Sequence, residues 1–212
     1  MKYFLTMLLM FSAGLATADD FDAVEAKLKA ALDADIRTDA EKERDRNRRA
    51  IATLKFFGLR DDMKIIELLP GGGWYTKLLA PVVAENGEYY GAFGTGRISE
   101  RLTGKPGFEK MNIVAEDSKV YRKEGERTYS LETEGLGVTG ADMVLTFRNY
   151  HNFGAEGRAA MNMAAFDALK SGGVYAVVDH TRRHMEQDNM ENRRRMDPVL
   201  AIKEIQAAGF KF

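Results

Sequence analysis

A chain of 212 residues with 45% hydrophobic and 30% charged side chains has the make-up of one globular domain with a full core. Its 31 basic and 32 acidic residues nearly cancel, which excludes the broad positive field of a general nucleic-acid binder. It has no cysteine and so no disulfide, and an oxidising compartment would neither help nor harm it.

The first residues have the form of an export signal: Lys2, an apolar run over 3–15, and Ala16-Thr17-Ala18 as a small-x-small cleavage site. The expectation is a signal peptide over 1–18, cleaved near Ala18, and a mature domain over 19–212 that is periplasmic or secreted. The apolar run is short for a membrane span of about 20 residues. No later segment is a candidate span, so no membrane contact is expected of the mature form.

Val24, Leu28 and Leu32 recur at helical spacing and predict a helix over 22–33. Asp39 stands where it could cap a second helix over 42–57, which Gly58 would end. The apolar run 64–69 predicts the first strand. The turn Pro70-Gly71-Gly72-Gly73 leads from it into a crossover helix over 74–84, interrupted near Pro81. Asn86-Gly87 marks a turn before a second strand over 88–93. Residues 97–110 read as irregular or weakly helical, 111–115 as a third strand, and the polar stretch 119–129 as a small hairpin.

A buried strand follows over 141–147, then a loop over 148–154 and a helix over 158–169. Ser171-Gly172-Gly173 would stop that helix before a strand over 174–178, and a last helix over 198–208 ends at Gly209. The basic runs 44–49 and 193–195 read as solvated helix faces, since acidic residues lie close to both.

Strands apolar on both faces, alternating with helices, call for a Rossmann-like, doubly wound, mostly parallel sheet preceded by N-terminal helices. Ligands of such sheets bind at the carboxyl ends of the strands. Glu67, Asn149, His151, Asp179 and His180 all stand at or just past those ends. A strand ending in a carboxylate, a glycine turn and a helix together form a nucleoside-type site: glycine lets the backbone approach a ligand, and a carboxylate accepts from ribose hydroxyls or an amine. The plainer reading is a tight βα turn that binds nothing.

These residues resemble a class I S-adenosylmethionine-dependent methyltransferase, most closely a bacterial group of exported methyltransferase-like proteins. The resemblance covers about residues 37–212. It rests on Phe56-Phe57-Gly58-Leu59, the run from Glu67 to Thr76, the run from Ala141 to Phe153 with Arg148-Asn149-Tyr150-His151-Asn152, the strand ending at Asp179-His180, and Asp197-Pro198 before Ala207-Ala208-Gly209-Phe210. It implies S-adenosylmethionine as cofactor, with Glu67, Gly71 and Gly73 against its methionine and ribose part. Trp74 and Tyr75 would either wall that pocket or pack the helix on the sheet. Asn149 and His151 fall where the family places residues facing the transferred methyl group, and His151 would serve as a general base or simply tie down its loop.

Three departures from the family pattern stand out. Leu69 occupies the position of the first motif glycine, leaving Gly71 and Gly73 as the matching pair. Phe93, Gly94 and Thr95 stand where an acidic residue would end the second strand. Glu116 and Asp117 after the third strand are the alternative contacts for the adenine amine. The last two strands of the family sheet are missing after Gly209. The expectation is an uncovered C-terminal edge, which invites self-association, and a truncated family member is one explanation.

Two functions follow. One is methyl transfer to a small-molecule acceptor, in which positioning does most of the work. The other is an exported, non-catalytic protein binding a small ligand on a methyltransferase scaffold. A nicotinamide-dependent oxidoreductase fits less well, because Thr76 replaces the third glycine of that fingerprint. His180 and His184 are four apart, but their arginine neighbours disfavour a cation, and no metal is expected.

Overall fold

The computed structural model describes residues 19–212. The signal-peptide expectation lies outside the described residues. Helix α1 (Asp19–Asp33) is followed by three short helices, α2 (Asp39–Lys42), α3 (Asp45–Arg48) and α4 (Ala50–Phe56). The single helix expected over 42–57 is thus broken, and Arg49 marks the break with φ +45°. The cap of α2 is Thr38 rather than Asp39. Thr38 Oγ1 accepts from the Glu41 N–H while the Glu41 carboxylate accepts from the Thr38 N–H, a reciprocal capping box.

Strand β1 (Lys64–Leu68) leads through the glycine turn to α5 (Thr76–Val83), which contains Pro81. Then come β2 (Glu88–Ala92), α6 (Gly96–Leu102) and β3 (Met111–Val114). Helix α6 is a regular helix where a weak one was expected. Strands β4 (Lys119–Tyr121) and β5 (Ser130–Glu132) form an antiparallel hairpin wider than the one expected over 119–129. Strand β6 (Ala141–Phe147), a 3-10 turn at Tyr150–Asn152, α7 (Ala155–Ala168), β7 (Leu169–Val178) and α8 (Pro198–Ala207) complete the chain. Ser171-Gly172-Gly173 does not separate α7 from the last strand. It forms a bulge within β7, where the register against β6 jumps between Ala141–Leu169 and Met143–Val174.

The main sheet has the order β3-β2-β1-β6-β7, and every pairing in it is parallel. The chain reverses direction of travel between β1 and β6, and such a switch point opens a crevice at the carboxyl ends of both strands. Alternate residues of β1 feed two cores. Ile65 joins Leu28 of α1, Leu54 of α4 and Leu78 of α5 on one face. Ile66 and Leu68 join Met161 and Ala165 of α7 and Leu131 of β5 on the other.

Among the described residues β3 and β7 are the outer strands of the sheet. The face of β7 is not bare, however: Phe210 packs against Tyr175 and Phe166 with ring centroids 5.2 Å apart in each pair. Among the described residues no helix is long and apolar enough to cross a membrane.

Candidate active site

Four chain segments leave the carboxyl end of the sheet in an unusual backbone state. Leu69, Phe93, Ala115 and Arg148, the first residues after β1, β2, β3 and β6, all have φ between +55° and +61°. For residues with a Cβ this left-handed region costs about 1 kcal/mol or more and persists only where the surroundings hold it. Leu69 therefore adopts the conformation that a glycine would favour at the first position of the turn. The strain gathers where the ligand site of such a sheet lies.

The turn after Leu69 divides its glycines by task. Gly71 and Gly72 are exposed and line a cavity of about 1220 Å³, whereas Gly73 is buried. A Cβ on Gly73 would stand 3.0 Å from Ile98 and 3.3 Å from Leu102, so this position lets α6 pack against the turn. Gly71 and Gly72 meet only a carbonyl oxygen and an Arg101 guanidinium nitrogen, at 4.0 and 3.9 Å, so their bare backbone is open to a ligand.

Glu67 forms part of the cavity floor and is almost fully buried. Thr76 Oγ1 and Tyr89 OH both donate to its Oε2 at 2.7 Å, while Oε1 receives no hydrogen bond among the described residues. Burial dominates its titration and pushes the carboxyl up to about 7, against the two hydroxyl donors and the Arg48 charge, which pull it down. The same burial, with the Glu67 charge beside it, raises the Tyr89 phenol well above its usual range.

Trp74 both packs and lines the cavity. Its indole N–H donates to the Glu41 carbonyl at 2.9 Å, and the Arg48 guanidinium lies 4.4 Å from its ring centroid. Lys77, buried one turn further on, donates to Ile36 O and to the Glu41 carboxylate. These contacts clamp the N-terminal helices over the start of α5 and bring Arg44 and Arg48 to the cavity wall. Tyr75 stacks on Phe147 at 3.5 Å, closing the inner wall between β1 and β6.

Across the cavity, Asn149 donates to Leu69 O at 2.9 Å and to Phe147 O at 3.1 Å, tying the β6 end to the β1 turn. His151 Nδ1 lies 2.5 Å from Asp179 Oδ1, and the His151 backbone N–H donates to Oδ2 at 2.8 Å. The contact takes up the Nδ1 edge of the ring and leaves Nε2 as the ring nitrogen free of Asp179. His151 lines both the main cavity and an adjoining one of about 520 Å³ between the hairpin and the 181–196 segment. Arg148 donates to His180 Nε2 at 2.8 Å; burial first, then the Arg148 charge, lowers the basicity of His180.

Glu67, Gly71, Trp74, Asn149 and His151 thus share one cavity. Asp117 is exposed and lines neither cavity, and Gly73 supports the turn from behind. Asp179 was visible in the sequence only as a residue at a strand end; its pairing with His151 needs the parallel neighbour β7. The basic runs are solvated as expected at most positions, with Arg46 and Arg49 outside both cavities, but Arg44, Arg48, Arg194 and Arg195 line the main cavity, and the 193–195 run belongs to no helix. His180 and His184 turn to different partners, Arg148 and Asp197.

No protein-family model and no curated protein matches the sequence. Solved structures match the fold. An S-adenosylmethionine-dependent methyltransferase from Aquifex aeolicus is similar with a TM-score of 0.53 at 16% identity, over 88% of this chain and 88% of its own. An arsenic(III) S-adenosylmethionine methyltransferase from Chlamydomonas reinhardtii gives 0.55 at 16% identity, over 90% of this chain and 62% of its own. Human N-acetylserotonin methyltransferase, solved with S-adenosylmethionine, gives 0.54 at 12% identity, over 90% of this chain and 52% of its own. The chain spans less than two thirds of the latter two. At these identities the likeness is one of fold: the parallel sheet and its helical layers match the Rossmann-like α/β arrangement of these methyltransferase structures.

Proposed function

We propose that this protein transfers a methyl group from S-adenosylmethionine to a small acceptor in the cavity at the carboxyl ends of β1 and β6. The observation that carries the reading is the pairing of the bare Gly71–Gly72 backbone with the open Oε1 of Glu67 on one cavity floor. Those groups fit a ligand with hydroxyl or ammonium donors, as the ribose and methionine ends of the donor have. Bound there, S-adenosylmethionine supplies an activated methyl group that bonds to an acceptor lone pair as the carbon–sulfur bond breaks, its electron pair staying on sulfur.

The chain's own part is positioning and proton removal. Asn149 holds the β1 and β6 ends together, and Asp179 orients His151 so that Nε2 can take the proton the acceptor loses. The Tyr75–Phe147 stack and Trp74 close the inner wall against water. Export remains part of the proposal on residues 1–18 alone, and N-terminal sequencing of protein from the periplasmic fraction would read a start at Asp19 if it holds.

Calorimetric titration with S-adenosylmethionine and S-adenosylhomocysteine tests the reading. Micromolar affinity, about −8 kcal/mol, that falls in Glu67→Gln is the expected result. A folded protein that binds neither compound leaves the non-catalytic scaffold.

A further inference from the structure

The main cavity is lined by eight arginines and Lys77, against three acidic side chains, Glu41, Glu67 and Glu191. Glu41 is already matched by Lys77 at 2.8 Å. Among the described residues, none of the eight arginines comes within 4.0 Å of a carboxylate. The whole chain, with 31 basic and 32 acidic residues, has no such surplus, so the imbalance is local. Nor is the main cavity alone in this. The adjoining 520 Å³ cavity is lined by Arg122, Arg127, Arg193 and Arg194, with Glu126 and Asp188 as its acids, and Asp188 is held by Arg182 at 2.7 Å.

Like charges do not gather around a cavity without cost. The Arg48 guanidinium is partly desolvated against Trp74, and its Nε is buried with no hydrogen-bond partner among the described residues. Three arginines approach from separate parts of the chain: Arg101 lies over Gly72, Arg148 leans on His180, and Arg122 stacks on Tyr129 at 4.2 Å. The hairpin that carries Arg122 is stitched to the loop after β6, since Tyr129 N–H donates to Asn152 O at 2.8 Å and Gly154 N–H to Tyr129 O at 3.1 Å. Planar guanidinium groups on rigid supports are the side chains that best match oxyanions.

The proposed donor does not satisfy them. S-adenosylmethionine carries one carboxylate against a sulfonium and an ammonium, so it brings positive charge into a positive cavity. The missing negative charge must come with the other ligand. Resting on the methyl-transfer reading of the same cavity, we infer that the methyl acceptor is an oxyanion-bearing small molecule, a phosphate or polycarboxylate. It is held in the 520 Å³ cavity by Arg122, Arg193 and Arg194, with His151 at the junction of the two cavities. The neutral balance of the chain and the concave placement of these arginines point to a small ligand rather than a nucleic-acid strand.

Calorimetric titration of the purified protein with inorganic pyrophosphate, citrate and, separately, S-adenosylhomocysteine tests this. Pyrophosphate and citrate distinguish the phosphate from the carboxylate source. The expected result is that one of them binds, that binding weakens roughly tenfold or more in the Arg122→Ser/Arg194→Ser double variant, and that it weakens with added salt. Both arginines are exposed, so the double variant keeps its fold, and Arg60→Ala, at a half-buried arginine paired with Asp62 outside both cavities, is expected to bind as the wild type does. Absence of binding by both anions, or equal binding by the double variant, overturns the inference. Anion binding without S-adenosylhomocysteine binding overturns the methyl-transfer reading and upholds the anion site, and the opposite result does the reverse.

Discussion

Glu67 shows how one buried side chain can be tuned by its surroundings. Its carboxyl ordinarily titrates at 4.5 and is pushed up to about 7 in the folded chain. Between those values the folded state holds a proton that the unfolded state has released, so stability falls as pH rises, and the loss is complete above the folded value. The size of the penalty is on the order of 3 kcal/mol. Glu67→Gln removes it, so the melting temperature of the variant relative to wild type is expected to climb from about pH 5 to about pH 8. A difference that stays flat over that range in thermal unfolding would show that Glu67 is not the titrating group.

At the scale of single elements, two positions define the helices around the site. Arg49 sits in the left-handed region between α3 and α4 with an exposed side chain, where glycine is the favoured residue. Arg49→Gly is expected to stabilise the fold by about 0.5–1 kcal/mol in urea unfolding. Gly73 is the opposite case, because its φ of +83° and the nearness of Ile98 and Leu102 leave no room for a methyl group. Gly73→Ala should cost about 1–3 kcal/mol by shifting α6 away from the turn, and Arg97 and Arg101 with it. The same urea titration reads this loss, and a neutral result would mean that α6 can slide freely.

For the whole molecule, the weak joint is α8, none of whose residues is buried. It is held by Arg158 of α7, which donates twice to Glu204 at 2.7 Å, and by Tyr150 of the preceding 3-10 turn, which donates to the same carboxylate at 3.1 Å. The pair is largely shielded from solvent, with side chains 12% and 19% exposed. Glu204→Ala would strand the Arg158 charge, and the expected loss is about 3 kcal/mol. In hydrogen exchange, the amides of α8 should lose protection before those of β1 and β6. The segment just before α8 carries Arg194 and Arg195, which line one wall of the cavity.

Much was legible from residue order alone, because it depends on local pattern. The apolar runs of β1 and β6, the glycine turn, and the alternation that calls for a parallel α/β sheet all follow from neighbours in the chain. So does the clustering of Glu67, Asn149 and His151 at strand ends. Other features depend on residues far apart in sequence. Asp179 reaches His151 only because β7 lies beside β6, and Gly73 is a packing residue only because α6 crosses behind it. The basic runs looked like solvated faces because nearby acids seemed to balance them. Four of their arginines, Arg44, Arg48, Arg194 and Arg195, instead line a shared cavity that six separate segments enclose, and a charge balance taken along the chain says nothing of one taken across space. The sequence by itself determined the layered fold and the end of the sheet where a ligand would sit; only the tertiary structure decided the sign of the charge waiting there.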